Sequence, residues 1–177
     1  MTDWPQEILD LVCWRSLSLD ISWRELEEEL ETPLPEDFKV LCEAFGRGVF
    51  CGHVVIASSF GGDDLALLDD LFSFQDAMEA NLDISQAFAP FDVFRVGSTG
   101  LIPWGRTLTE ESFFWLAGPT KPSTWPVVTM TDDGIWSTFN LSTSEFLFKV
   151  LSGLYEEFGV VPGVDLRYEP AQRPSEG

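Results

Sequence analysis

Positive charge is what this sequence is shortest of. Ten Lys and Arg stand against thirty Asp and Glu, a formal net charge of −20, and no Lys or Arg occurs between Arg47 and Arg95. Such a surface repels nucleic acid and anionic lipid headgroups, so neither is expected as a partner. It attracts basic protein surfaces, and steering of that kind raises association rates by about 10 to 10³. Histidine is scarcer still. His53 is the only one, and a hydrolase triad needs a base beside a nucleophile. There is no GxSxG, P-loop or HExxH pattern, so no catalytic residue is assigned and an enzyme is not expected. A lone His at the start of a strand reads as structural. The cysteines, Cys13, Cys42 and Cys51, are odd in number and form no CxxC pair. A disulfide scaffold and a zinc site are both unsupported, no cofactor or metal is expected, and the three read as buried thiols in a reducing compartment. No apolar run approaches the roughly 18 residues of a membrane span. Asp3, Glu7 and Asp10 stand where a signal peptide would carry basic residues. The expected location is cytoplasmic.

Apolar and aromatic residues, by contrast, are plentiful, at 45% and 14% of 177 residues. A chain of this size and composition buries one sizeable core without staples. Four of the seven Trp fall between Leu101 and Phe139, in Leu101–Gly105, Ser112–Leu116, Trp125–Met130 and Ile135–Phe139. Short aromatic and β-branched runs bounded by Gly, Pro, Ser, Thr or Asp read as consecutive antiparallel strands. Rings at that density imply a buried sheet face. Asp132-Asp133-Gly134 is the turn between the last two strands.

Helices are expected before and after this meander. Asp3 caps the first, with Pro5 in its first turn, and it runs to the region of Ser16 to Leu19. Ser22 and Glu25 form a capping box for the second, with Ile21 and Leu26 as its staple, and Thr32-Pro33 ends it. Phe38, Leu41, Cys42 and Phe45 are the buried stripe of the third, which Gly46 stops. Val54–Ile56 and Val93–Val96 read as short strands. Between Phe60 and Phe91 two short helices are predicted, one around Leu65, Leu68 and Phe72 and one over Phe74–Asn81. Ser142 and Glu145 cap a last helix of about four turns that carries Phe146 to Phe158 on one face and ends at Gly159. The fold class is α+β, with a mostly antiparallel sheet of about five or six strands and helices on one face or edge. Residues 1–158 form one domain, and residues 159–177 a Pro/Gly-rich tail.

The acidic residues cluster. Glu27, Glu28, Glu29 and Glu31 read as a solvated helix face. Asp63, Asp64, Asp69 and Asp70 lie in a segment without compensating charge. Gly61-Gly62-Asp63-Asp64 lacks the alternating ligands of a calcium loop. Gly46 to Gly52 follows a helix rather than a strand and has the wrong spacing for a dinucleotide fingerprint, so it reads as turn chemistry. With thirty carboxylates, neighbouring pairs arise by chance, and no glycosidase-type pair stands out.

Several stretches in order resemble a known family. Trp23, Glu27 and Leu30, then Leu34-Pro35-Glu36-Asp37-Phe38-Lys39, then Phe45-Gly46-x-Gly48 look like the opening helices and turn of the SUKH superfamily, the Smi/Knr-type domains. Pro103-Trp104-Gly105, Phe114-Trp115, Trp125-Pro126-Val127-Val128, Trp136 and Ser144-Glu145-Phe146-Leu147 are similar to its later strands and last helix. The likeness runs from Trp23 to Phe158, with Phe60 to Phe91 unmatched. One departure is Thr109-Glu110-Glu111, where many members have a Gly-Asp turn. The resemblance implies an antiparallel α+β domain without enzymatic activity. Bacterial members are typically immunity proteins that bind a cognate toxin domain, often a nuclease. Fungal members act as scaffolds in cell-wall signalling.

Three readings follow. A toxin-neutralising immunity protein predicts a tight, salt-sensitive complex with one basic protein. An intracellular scaffold or regulator of the Smi/Knr type predicts several weaker protein partners. An enzyme or metal-binding protein using the acidic clusters predicts stabilisation by a divalent ion, through linkage. The first is preferred, as a monomer whose partner-binding residues are Asp63, Asp64, Asp69, Asp70, Asp132, Asp133, Glu27 and Glu28, with Asp63 to Asp70 favoured because loops on a rigid scaffold commonly carry recognition.

Overall fold

The computed structural model describes residues 1–175 and is α+β. Seven strands form one antiparallel sheet: β1 (Gly48–Phe50), β2 (Val54–Ile56), β3 (Gly100–Thr107), β4 (Ser112–Ala117), β5 (Val127–Met130), β6 (Trp136–Phe139) and β7 (Tyr168–Pro170), in the order β6-β5-β4-β3-β2-β1-β7. Six helices accompany it: α1 (Trp4–Leu11), α2 (Trp23–Leu30), α3 (Glu36–Phe45), α4 (Ala66–Ala80), α5 (Leu82–Ala87) and α6 (Thr143–Leu151). The central meander β3 to β6 falls where the aromatic runs predict it, and Gly134, at φ 76°, closes the β5–β6 hairpin. The strand count is seven rather than five or six. Two strands are additional: β1, inside the Gly46 to Gly52 stretch that reads as a turn in sequence, and the edge strand β7, which pairs with it.

Both faces of the sheet are covered, not one. Ile102, Trp104, Phe113, Trp115 and Val127 point into the main core with Ile8, Phe38, Leu41 and Phe146. Alternate residues Leu101, Phe114 and Val128 lie on the other face under Phe74 of α4 and Phe88. Trp104 follows Ile102 by two residues onto the main core face, where it meets Trp115 and Phe146, and a register shift between Pro103 and Gly105 sets Gly105 rather than Trp104 opposite Phe113. On that side α1 packs against α6 and α3. Asp37 at the start of α3 ties it to α6, because its Oδ2 accepts from both the backbone N–H and the hydroxyl of Ser144 at 2.7 Å.

Several expected elements differ. α1 ends at Leu11, well short of Ser16, with Cys13 in left-handed backbone (φ 51°). Asp3 does cap it, accepting from the Gln6 N–H. Ser22 makes no side-chain cap bond; its N–H instead donates to the Gly62 carbonyl at 2.8 Å. Val93–Val96 is not a strand, and only Val93 bridges to Leu101. α4 is one helix of 15 residues where two were expected. α6 ends at Leu151, since Gly153 takes φ 73°, and a separate 3-10 turn over Glu156–Phe158 returns Phe158 to the core. Ser142 caps α6 through the Glu145 N–H, as predicted. Cys42 and Cys51 are buried, but Cys13 is exposed.

The segment read as a tail from residue 159 contains β7, whose Tyr168 is buried against Phe45, Phe50 and Trp14. Its hydroxyl donates to the Gly46 carbonyl at 3.0 Å. At Gly48 a Cβ would stand 2.4 Å from both the Tyr168 hydroxyl and the Glu169 carbonyl, so glycine allows this close strand pairing. The last two residues of that segment, Glu176 and Gly177, lie outside the described residues. Among the described residues no helix is long and apolar enough to cross a membrane.

Candidate functional site

The acidic residues singled out from sequence do not converge on one spot. Two of them serve the fold. Glu27 is not a member of a solvated face: its carboxylate accepts from Lys39 Nζ at 2.6 Å and from the Leu34 N–H at 2.9 Å, fixing the α2–α3 corner. Asp64 is not uncompensated either. It accepts from Arg47 through both Nε and a terminal nitrogen, and from the Phe60 N–H at 2.7 Å. Arg47 also stands over the Phe60 ring at 5.0 Å. Asp63 is exposed in the same loop, while Asp132 and Asp133 project from the β5–β6 hairpin. Asp69, Asp70 and Glu28 remain on the surface at two concave places.

One is a cleft on the second face of the sheet, about 280 Å³, floored by Val55, Pro103 and Phe114 and walled by Phe74 and Phe88. Asp70 and Arg106 stand at it with opposite charges. Desolvation raises the Asp70 pKa, opposed by the positive charges of Arg106 and Arg47.

The other is a wider groove, about 720 Å³, between α2 and α4. Glu25, Glu28, Glu29 and Glu31 line the α2 side; Leu65, Leu68 and Phe72 line the α4 side, joined by Val96. All four carboxylates are exposed. Phe72 is 47% exposed and Val96 50%, so the groove presents apolar side chains to solvent beside its carboxylates. Asp69 and Asp76 flank Phe72 at helical spacing on α4 and are exposed. Two backbone bonds hold the walls together: Ser22 N–H donates to the Gly62 carbonyl and Gly62 N–H to the Asp20 carbonyl, at 2.8 and 2.6 Å. Asp64, by anchoring the loop to Arg47, places the start of α4. The sequence showed the α2 carboxylates but not the groove, because Phe72 and Val96 meet them only in three dimensions.

A third cluster surrounds the lone histidine. Glu111 is buried in the turn between β3 and β4, and its carboxylate accepts from the hydroxyls of Thr107 and Thr109. His53 Nε2 lies 3.3 Å from the Thr109 hydroxyl. Burial alone would raise the Glu111 pKa, but the hydrogen bonds from Thr107, Thr109 and its own N–H, with His53 nearby, bring it below 4.5. Glu110 adopts φ 74°, so a non-glycine residue carries the left-handed conformation in this turn. The bonds from the Thr107 and Thr109 hydroxyls to Glu111 brace the β3–β4 turn, and the Thr109–His53 contact ties that turn to the residue before β2. Among the described residues, no three His, Cys, Asp or Glu side chains are grouped as a metal site needs.

No family model, curated protein or solved structure matches this chain.

Charge is therefore the dominant property of the surface. Among the described residues, six of the Lys and Arg are engaged in ion pairs, and these involve eight carboxylates. Most of the remaining acids face solvent without a partner.

Proposed function

We propose that this chain is a non-enzymatic immunity protein of the SUKH type, which binds and neutralises a cognate basic toxin domain in the cytoplasm through its acidic surface. The observation that carries the reading is the net charge of −20 with so few carboxylates neutralised internally. A toxin that acts on nucleic acid must be basic around its site to hold phosphate. A rigid array of carboxylates takes the place of that phosphate, and charge complementarity speeds capture. Speed matters because free toxin damages the cell that makes it. Affinity comes from a few desolvated anchors, while the charge contributes rate and specificity. The resemblance in Trp23 to Phe158 supports the same reading, and the α+β architecture is compatible with it. A protein of this charge has no use for nucleic acid or an anionic membrane as partner, and its own copies repel one another, which favours a monomer.

The test is affinity capture from the producing cell with tagged protein, washed at about 0.1 M and then at about 1 M salt, where the screening length shrinks from about 10 to about 3 Å. The expected result is one basic polypeptide, retained at low salt and weakened at high salt. Several sub-stoichiometric partners of no particular charge would favour a scaffold role and overturn the neutralisation reading.

A further inference from the structure

We infer that the groove between α2 and α4 is the docking site for a basic amphipathic helix of the partner, seated with an apolar side chain between Phe72 and Val96 and with Lys or Arg on the α2 carboxylates. This rests on the reading that the partner is a basic protein.

Three properties of the groove argue for that occupant. The first is composition. Helix-in-groove recognition needs an apolar strip that accepts anchors at helical spacing, and a polar rim. Here Leu65 and Leu68 form the floor, Phe72 and Val96 are the half-exposed anchor contacts, and Glu25, Glu28, Glu29 and Glu31 form one rim. The second is electrostatic conflict in the free protein. Glu25 and Glu29 stand four apart, and Glu25 and Glu28 three apart, on an eight-residue helix whose C-cap is Glu31. Like charges at these spacings repel. The last turn of α2 carries acids and no basic residue, which is the wrong sign for a helix C-terminus. Lys39 offsets Glu27 and the exposed Arg24 offsets Glu28, while Glu25, Glu29 and Glu31 have no basic partner among the described residues. Local conflict of this kind marks a surface under a demand other than folding, and a cationic partner relieves it. The third is size: the groove runs along the first two turns of α4, from Leu65 to Phe72, opposite the eight residues of α2, which suits contact with about two turns of a helix.

Other occupants fit poorly. A second copy of this chain offers no basic face, since no helix carries more than one Lys or Arg: Arg24 in α2, Lys39 in α3 and Lys149 in α6. A divalent cation would find carboxylates on one side only and hydrocarbon on the other, short of the oxygen ligands it needs.

The probe is a synthetic amidated peptide of about 18 residues, made of Leu and Lys at helical amphipathic spacing, with a second peptide of equal charge lacking Leu as comparison. Binding is measured by calorimetry, and its place by backbone amide shifts. The Leu/Lys peptide should bind more tightly than the Leu-free one, with shifts concentrated on residues 25–31, 65–76 and 94–97. Phe72→Ser, and separately Glu25→Lys with Glu29→Lys, should each weaken binding by about tenfold or more. Asp132→Lys with Asp133→Lys, equal in charge change, should weaken it far less. All three side-chain sets are exposed, and an unchanged thermal midpoint for Phe72→Ser excludes a folding defect. Equal binding of both peptides, or of the groove variants and the wild type, would overturn the inference. Failure of the broader reading looks different. A peptide bound in the groove while no basic partner is ever captured would sink neutralisation alone. A captured basic partner indifferent to Phe72→Ser would sink the groove alone.

Discussion

Glu29→Lys should make the free protein more stable while making its complex weaker. Glu29 is exposed in the last turn of α2, four residues after Glu25. The substitution removes a like-charge pair costing about 0.2–0.5 kcal/mol and replaces it with a Glu-to-Lys pair in the favourable order, a gain of similar size. It also changes an anion at a helix C-terminus into a cation, where each term is worth about 0.3–1 kcal/mol. Solvent screening puts an exposed site at the low end of each range, so the combined gain is about 1 kcal/mol. For a domain of this length that corresponds to a rise in thermal midpoint of about 2–4 °C. The assay is thermal unfolding followed by circular dichroism, run at about 0.1 M and about 1 M salt. The rise should shrink markedly in the higher salt. An unchanged or lower midpoint at low salt, or a gain indifferent to salt, would refute the claim that α2 holds repelling charges.

Other expectations follow from particular contacts. With a thiol reagent under native conditions, only the exposed Cys13 should react promptly, because Cys42 is buried with its pKa pushed up to about 12 and Cys51 is buried and raised as well; all three should react once unfolded. The Glu111 pKa is lowered in the fold, so its contribution to stability is present above the unfolded value of 4.5 and is lost as pH falls through the folded one. Glu111→Gln should therefore destabilise at neutral pH and flatten the acid limb of the stability profile. Asp70 runs the other way: its raised pKa costs stability above the folded value, so Asp70→Asn should raise the thermal midpoint at neutral pH, and the advantage should vanish below the unfolded value of 3.8. Trp115 Nε1 donates to the Thr143 hydroxyl at 2.9 Å, whereas buried Trp104 Nε1 has no partner. Trp115→Phe should accordingly cost about 1 kcal/mol more than Trp104→Phe in chemical denaturation, since it alone strands a buried hydroxyl.

The meander was legible because each strand is a short aromatic run closed by strong turn residues, and Gly134 falls where positive φ is required. The α6 cap was legible for the same kind of reason: Ser142 and Glu145 act locally. What failed were readings that depended on the tertiary setting. The apolar spacing from Phe146 to Phe158 continues across Gly153, and sequence cannot tell a continuous helix from a helix followed by a turn that returns Phe158 to the core. Leu154, 64% exposed, is the residue that breaks the face. In α4 the core-facing residues Leu67, Leu68, Leu71 and Met78 are interrupted by Phe72, which points outward, and the pattern looks like two fragments. β7 was hidden among Pro and Gly; Tyr168, the one aromatic of that segment, was the available signal. Among the acids, sequence separated neither Glu27 from Glu28 nor Asp64 from Asp63. Their different roles depend on Lys39 and Arg47, which lie 12 and 17 residues away.

Growth rescue tests the central claim most directly. The basic polypeptide retained by the tagged protein is expressed alone, with this chain, and with its Phe72→Ser, Glu25→Lys, Glu29→Lys variant. The account predicts that the polypeptide alone stops growth, that the wild-type chain restores it, and that the variant restores it poorly despite folding normally. A polypeptide harmless by itself, or toxicity untouched by the wild-type chain, would contradict it.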